Sequence, residues 1–175
     1  MAIPTGSSKL DFYHTYKKTF KFENYLDNVP KHIRTNLTRL RVSSHSLPIE
    51  VLRYKKKSNK IDRSDRKCTI CNTNEVGDEK HYLLKCNNAE ISNARDNFFQ
   101  NIVLLNSQFI NMSHQNIIDY CMLLNDPITQ LATAKYVMNI LDIYKEEMGG
   151  PNINYEPPTE TRYGRKIKKP IKLDL

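Results

Sequence analysis

Glycine is scarce in this 175-residue chain, with five in all. None falls in the Gly-x-Gly-x-x-Gly or Walker spacing that lets backbone amides close around phosphates, so the common nucleotide-binding loops are excluded. Serines are plentiful, but no Gly-x-Ser-x-Gly elbow occurs, and the hydrolase template fails with it. No apolar run approaches the ~18 residues a bilayer crossing needs. Residues Met1–Lys9 contain Pro4, Gly6, Ser7 and Ser8 but no apolar core of a secretory signal, so the chain is expected in a reducing, intracellular compartment. Alternation of strand type is nowhere long enough to use, and no internal repeat is visible. What remains, 39% apolar, 9% aromatic and 26% charged residues, suits one small globular domain with polar extensions.

Charge is the first positive signal. The chain has 27 Lys and Arg against 19 Asp and Glu, a net charge of +8. Residues 1–60 carry +9, 61–110 carry −1, 111–160 carry −5 and 161–175 carry +5. Two basic ends therefore flank an acidic third quarter, an asymmetry that suggests polyanion contacts at the ends and a separate packing or partner surface between them. The plainer reading is solubility.

The apolar pattern is helical almost throughout. Between Leu10 and Val29 the residues Leu10, Phe12, Tyr13, Tyr16, Phe20, Phe22, Tyr25 and Leu26 predict one amphipathic helix or two short ones. Pro30 reads as the first residue of a new helix whose stripe is Ile33, Leu37, Leu40 and Arg41, with Lys31, Arg34 and Arg39 facing away. Ser43–Ser46 and Pro48 interrupt it, Ile49–Tyr54 form a short packed segment, and Lys55–Lys60 read as an exposed loop. Ile91, Ala94, Phe98, Ile102 and Leu105 mark a further helix. Ser113 offers a cap for His114–Leu124, and Asp126–Pro127 open a helix carried by Leu131, Ala134, Val137, Ile140, Leu141 and Tyr144 to about Met148, where Gly149-Gly150-Pro151 stops it. Three segments result: a flexible 1–9, a helical domain at 10–148 with C-terminal helices over about 90–148, and a disordered basic tail at 149–175. The expected class is mainly α, a small helical domain built around a metal site.

That site is Cys68-x2-Cys71-x9-His81-x4-Cys86. Two thiols two residues apart suit a tight knuckle that turns both sulfurs, and backbone N–H groups, onto one ion. Four soft or borderline ligands suit one structural Zn2+ with no open position for a substrate. Disulfides are the alternative for a secreted chain, and two unconnected thiol sites with a surface histidine are another. Gly77 permits a turn, and Asp78 or Glu79 starts a helix carrying His81. Five residues on a regular helix rotate ~500°, about 140° off the first side chain, so the helix must end or unwind near Lys85-Cys86. Three thiolates and an imidazole leave −1 on Zn(II), which Arg66, Lys67, Lys80 and Lys85 would offset. Cys121, on an apolar helix face, reads as a core thiol. His14, His32 and His114 read as surface or packed residues. His45, beside Ser43, Ser44 and Ser46, reads as a hydrogen-bonded hinge or a nucleic-acid contact.

Leu37-Thr-Arg-Leu-Arg-Val-Ser-Ser-His-Ser-Leu-Pro-Ile-Glu-Val-Leu-Arg-Tyr54, then Asp65-Arg-Lys-Cys-Thr-Ile-Cys71, then Asp78-Glu-Lys-His-Tyr-Leu-Leu-Lys-Cys86, resembles the C-terminal zinc-binding region of non-LTR retrotransposon reverse transcriptases, over about residues 10–105. The resemblance implies Cys68, Cys71, His81 and Cys86 as zinc ligands and a role in helping a polymerase grip template RNA or target DNA. A reverse-transcriptase partner chain is implied too. The chain departs from the family where catalysis would sit. It has no Asp-Asp pair for a polymerase palm and no Pro-Asp for a restriction-like nuclease. The tail, Thr161-Arg-Tyr-Gly-Arg-Lys-Ile-Lys-Lys-Pro-Ile-Lys-Leu173, is similar to basic Arg-x-Gly-Arg tails at the ends of other retroelement polyproteins; the plainer readings are a solvated tail or a nuclear-import signal, and import and nucleic-acid contact weigh about equally.

The expectation is thus a non-enzymatic, zinc-stabilised accessory module that binds RNA or DNA, located in the nucleus or cytoplasm, with no membrane and no small-molecule substrate. Arg34, Arg39, Arg41, Arg53, Lys55, Lys56 and Lys57 would contact phosphates, Tyr54 would stack on a base, and Arg162, Arg165, Lys166, Lys168 and Lys169 of the tail would add contacts. The competing readings are a protein-interaction or assembly module using the acidic helices of 113–148, and a non-functional retroelement remnant.

Overall fold

The computed structural model describes residues 10–17, 19, 21–54, 61–110 and 120–149. The flexible N-terminus, the loop Lys55–Lys60, the cap at Ser113 and the basic tail beyond Gly149 that the sequence leads one to expect lie outside them. Among the described residues the elements are helices: α1 (Asp11–Tyr16), α2 (Tyr25–Asn28), α3 (Lys31–Arg41), α4 (Pro48–Val51), α5 (Ala89–Leu105), α6 (Tyr120–Asn125) and α7 (Gln130–Glu147). Short 3-10 turns lie at Leu52–Tyr54, Arg63–Asp65 and Ser107–Phe109, and a π-helical turn spans His81–Lys85. The nearest thing to a sheet there is a single antiparallel bridge, Lys67 to Val76. No helix among these residues is long and apolar enough to cross a membrane.

The core is organised by α7, which packs chiefly on α3 on one side and α5 on the other. Its stripe of Ala134, Val137, Ile140, Leu141 and Tyr144 is buried, as are Ile33, Leu37 and Leu40 of α3 and Ile91, Phe98, Phe99 and Ile102 of α5. Full burial of such a side chain contributes about 1.5–3 kcal/mol each. Phe98 of α5 stacks on Tyr136 of α7 with ring centroids 4.2 Å apart.

Local chemistry sets the helix ends. Asn88 Oδ1 accepts from the amides of Glu90 and Ile91 at 3.1 and 3.2 Å, a side-chain cap that starts α5. At the end of α7, Gly149 adopts φ +67 and its amide bonds the Glu146 carbonyl at 3.0 Å, where the missing Cβ makes that turn cheap. Two starts differ from expectation. Pro30, with ψ 140, precedes α3 instead of opening it. Asp126 closes a turn by accepting from the Thr129 amide and hydroxyl at 2.9 and 2.6 Å, so α7 begins only at Gln130.

Candidate metal centre

The first two cysteines sit on a small hairpin. The Cys68 amide donates to the Glu75 carbonyl at 2.9 Å and the Gly77 amide to the Arg66 carbonyl at 2.9 Å, closing residues 66–77 around the knuckle Cys68–Cys71. Asn74, at φ +54, turns the chain back; Asn tolerates that left-handed conformation better than most residues. Gly77 is needed for closeness and not for a turn, because a Cβ there would stand 3.0 Å from Pro48 Cγ and 3.1 Å from the Cys68 backbone.

The other two ligands flank the π-helical turn. Asp78 Oδ1 accepts from the His81 amide at 2.9 Å, and the Cys86 amide bonds the His81 carbonyl five residues back at 2.8 Å. The helical turn ends at Lys85, as the spacing demands, and its wider i-to-i+5 closure also brings position 86 back toward position 81. Tyr82 and Leu83 inside the turn are fully buried. They anchor it on α7, where the Tyr136 hydroxyl donates to the Leu83 carbonyl at 2.6 Å and Tyr82 meets Tyr144 edge to face at 5.2 Å. The knuckle docks at the C-terminal end of α7, where Thr69 Oγ1 donates to Met148 Sδ at 3.1 Å, and the α5 cap Asn88 donates from Nδ2 to Glu147 beside it at 3.0 Å.

These elements bring Cys68, Cys71, His81 and Cys86 together, with one ligand atom of each lying within 4.8 Å of all the others. Cys71 Sγ is 3.3 Å from His81 Nε2. Zinc at its usual bond lengths has ligand-to-ligand edges of about 3.5–3.8 Å, so even the widest pair needs to close by only about 1 Å. The donor set fits a metal ion in number, softness and placement. Cys121 stands outside the group.

The electrostatics are those of a site in which the ligands share protons through hydrogen bonds. The hydrogen bond with Cys86, helped by those from His81 and Tyr82, outweighs burial and pulls the Cys68 thiol down to about 3. Cys86, holding the shared proton, is pushed up. Burial works against a charged His81 ring, yet its hydrogen bonds to Cys68 and Glu75 raise it to about 9. A thiolate and an imidazolium thus sit where a divalent cation would displace the protons.

Around the ligands stands a second ring of partners that sequence reasoning overlooked. His81 Nδ1 lies 3.0 Å from Glu75 Oε2, and the Tyr82 hydroxyl is 3.2 Å from Cys68 Sγ. Thr73 Oγ1 is 3.1 Å from Cys71 Sγ. Only an acid inside the Cys–His spacer hinted at Glu75. Of the cations expected to offset the cluster's charge, Lys85 approaches Glu75 at 4.0 Å, while Arg66 is buried and spends its guanidinium on the Ile61 and Ile49 carbonyls.

Beside the centre, His45 is hydrogen-bonded as the first of its two readings had it. Its Nε2 lies 2.9 Å from Glu79 Oε1, its Nδ1 accepts from the Leu47 amide at 3.3 Å, and Ser43 Oγ donates to the same Glu79 oxygen at 2.9 Å. Burial alone would raise the Glu79 carboxyl; the bonds from His45 and Ser43 outweigh it and hold it low. The triad ties the end of α3 to the approach to His81.

The basic residues scatter. Arg34 is half-buried and Arg39 exposed on α3, next to exposed Lys31, and among the described residues none of the three forms an ion pair. Arg41 corrects the expectation of a phosphate contact: it is 1% exposed, with Nη1 on the Leu124 carbonyl and Nη2 on Glu23, both at 2.7 Å, and its guanidinium over the Tyr16 and Tyr25 rings. Arg53 is largely covered and paired with Glu50 at 2.8 Å, which removes it from the free cations as well. The side chain of Tyr54, Lys55, Lys56, Lys57 and the tail residues Arg162, Arg165, Lys166, Lys168 and Lys169 lie outside the described residues. An open groove of about 690 Å³ between α5 and α7 is lined by Leu104, Leu105, Ile128, Leu131, Asn97 and Asn101, among others.

No family model matches the chain, and neither a curated protein nor a solved structure does. The class defined here by fold and site is a mainly helical protein with a Cys3His group able to hold a metal ion.

Proposed function

We propose that this chain is a zinc-stabilised nucleic-acid-binding module without catalytic activity of its own. The observation that carries the reading is α3, where exposed Lys31 and Arg39 and half-buried Arg34 stand without ion-pair partners among the described residues, on a chain of net charge +8. Unpaired cations along one helix suit the evenly spaced phosphates of a polyanion, and nothing in their arrangement reads bases. Zinc is the metal best suited to three thiolates and an imidazole in a closed group. The sequence resemblance to retrotransposon reverse transcriptases adds a context, in which a separate polymerase chain would use the module to hold RNA or DNA, in the nucleus if the tail directs import.

Fluorescence anisotropy with short RNA and DNA duplexes, across a salt series, tests the nucleic-acid reading. Binding should weaken steeply with salt. Converting Lys31, Arg34 and Arg39 together to Gln should lower the DNA salt slope by about 0.9 per lost contact. Absence of binding at low salt, or an unchanged slope, sinks the proposal. A second reading, an assembly module, is favoured by the exposed aliphatics at the α5–α7 groove, Leu104 at 85% and Ile128 at 61% exposure. Its sign is concentration-dependent self-association in sedimentation velocity; a monomer throughout dismisses it.

A further inference from the structure

The ring of His81 has two nitrogens and only one can ligate. Nε2 faces Cys71 Sγ at 3.3 Å, inside the four-ligand group. Nδ1 faces Glu75 Oε2 at 3.0 Å. A carboxylate accepts and does not donate, so the proton of a neutral ring is held on Nδ1 and the lone pair of Nε2 is left aimed at the sulfurs.

We propose that Glu75 is the positioning residue of the metal centre, setting the tautomer and orientation of His81 and through them the metal affinity. This rests on the metal-binding reading above. The residue is placed to do so twice over. Its backbone carbonyl accepts from the Cys68 amide at 2.9 Å, bracing the first ligand, while its side chain braces the third. Asn74, in the left-handed conformation, makes the turn that delivers Glu75 to that position. The ring itself is 2% exposed, whereas the carboxylate is 46% exposed and its other oxygen lies 4.0 Å from Lys85 Nζ. His81 is therefore oriented from the outer edge of the site by a side chain whose removal opens no cavity in the core.

That placement makes a clean test feasible. Glu75→Ala and Glu75→Gln keep the backbone bond to Cys68, and Gln keeps a carbonyl acceptor for the Nδ1 proton while losing the charge. Zinc affinity of the full chain would be measured by competition with a chromophoric chelator, with nitrogen-15 NMR of the His81 ring reporting the tautomer of the loaded protein. Glu75→Ala should lower affinity 10- to 100-fold, the range typical of partners that orient a ligating histidine. Glu75→Gln should recover most of the loss, and an exposed control, Glu146→Gln, should change nothing. Equal affinity and an unchanged ring spectrum in Glu75→Ala would overturn the proposal, as would a Gln variant as weak as Ala, which would indicate charge alone. A parent chain that takes up no zinc would instead overturn the metal reading on which the proposal rests.

Discussion

Arg41 offers the sharpest separation of structure from function, because its charge suggests a phosphate contact whereas its place on the apolar stripe of α3 and its packing bury it. Replacing it with Met keeps the length of the side chain and its apolar stem but removes the guanidinium. Two charge-assisted hydrogen bonds go, to the Leu124 carbonyl and to Glu23 Oε2, both at 2.7 Å. Each such bond contributes about 1.5–3 kcal/mol, and stripping one partner from a buried ion pair costs about 3–5 kcal/mol. Glu23 is 22% exposed and keeps Lys17, so the carboxylate is not stranded and the lower end applies. Loss of the guanidinium over Tyr16 and Tyr25 adds to the cost, partly offset by methionine packing against the rings. The expected loss is about 3 kcal/mol, a large share of the roughly 5–15 kcal/mol typical of a domain. Urea unfolding at saturating zinc would measure it, with Glu23→Gln added to Arg41→Met to show that the double variant loses less than the sum. Under conditions where Arg41→Met remains folded, its salt dependence of nucleic-acid binding should match the parent. A loss below about 1 kcal/mol, or a shallower salt slope in the folded variant, would refute the burial argument.

Three further outcomes follow from the site. Mass spectrometry of the native chain should find one zinc per molecule, and chelation should lower the urea midpoint while leaving a weaker folded state, because the binding energy of a structural metal becomes folding energy; a metal-free chain of unchanged stability contradicts this. In metal-free protein the raised His81 contributes stability fully present below pH ~6.5 and lost as pH rises through about 9, while the lowered Cys68 contributes stability present above pH ~9 and lost as pH falls toward about 3. Their sum is level between about pH 6.5 and 9 and declines below pH ~6.5 by one proton per molecule, a slope that urea titrations across pH would read. Gly77→Ala should cost about 1–3 kcal/mol and weaken zinc binding, since its Cβ meets Cys68 backbone and Pro48 at 3.0–3.1 Å; a neutral substitution would show that the hairpin yields easily.

Helix existence was legible in the sequence wherever apolar spacing was sustained. The predicted stripe of α3 is buried, down to Arg41 on its core side at the eighth position after Ile33, and those of α5 and α7 are buried except at Ala94, which is half-buried, and at Leu105 and Leu131, which are exposed. What periodicity could not give was the identity of Arg41's partners. Glu23 is 18 residues away and Leu124 is 83, and a charge at a core position is readable as an error in the stripe or as a buried pair only once those partners are in place. Helix starts were less legible for a local reason: Asp126 and Pro30 have the right chemistry for a cap, but the same groups can close a turn or precede the first residue of a helix without opening it.

The grouping of Cys68, Cys71, His81 and Cys86 was legible because their spacing is a property of the chain, whereas the geometry that makes the spacing work is a property of the fold. On a regular helix, positions 81 and 86 diverge by about 140°, and the arithmetic leaves open whether the chain breaks, unwinds or widens. It widens as well as ends, and the reason lies outside the motif. Tyr82 and Leu83 are both fully buried, and the Leu83 carbonyl, one of the end-of-helix acceptors without a partner farther along its own turn, is taken up by Tyr136 of α7. The Cys86 carbonyl is taken up by Arg95 of α5 at 2.9 Å. A π turn is costly in isolation because it spoils the regular ladder; here two long helices receive the carbonyls it leaves over, and the turn is held at the width that returns Cys86 to His81. The Cys3His group is in this sense a product of α5 and α7, which contribute none of its four residues.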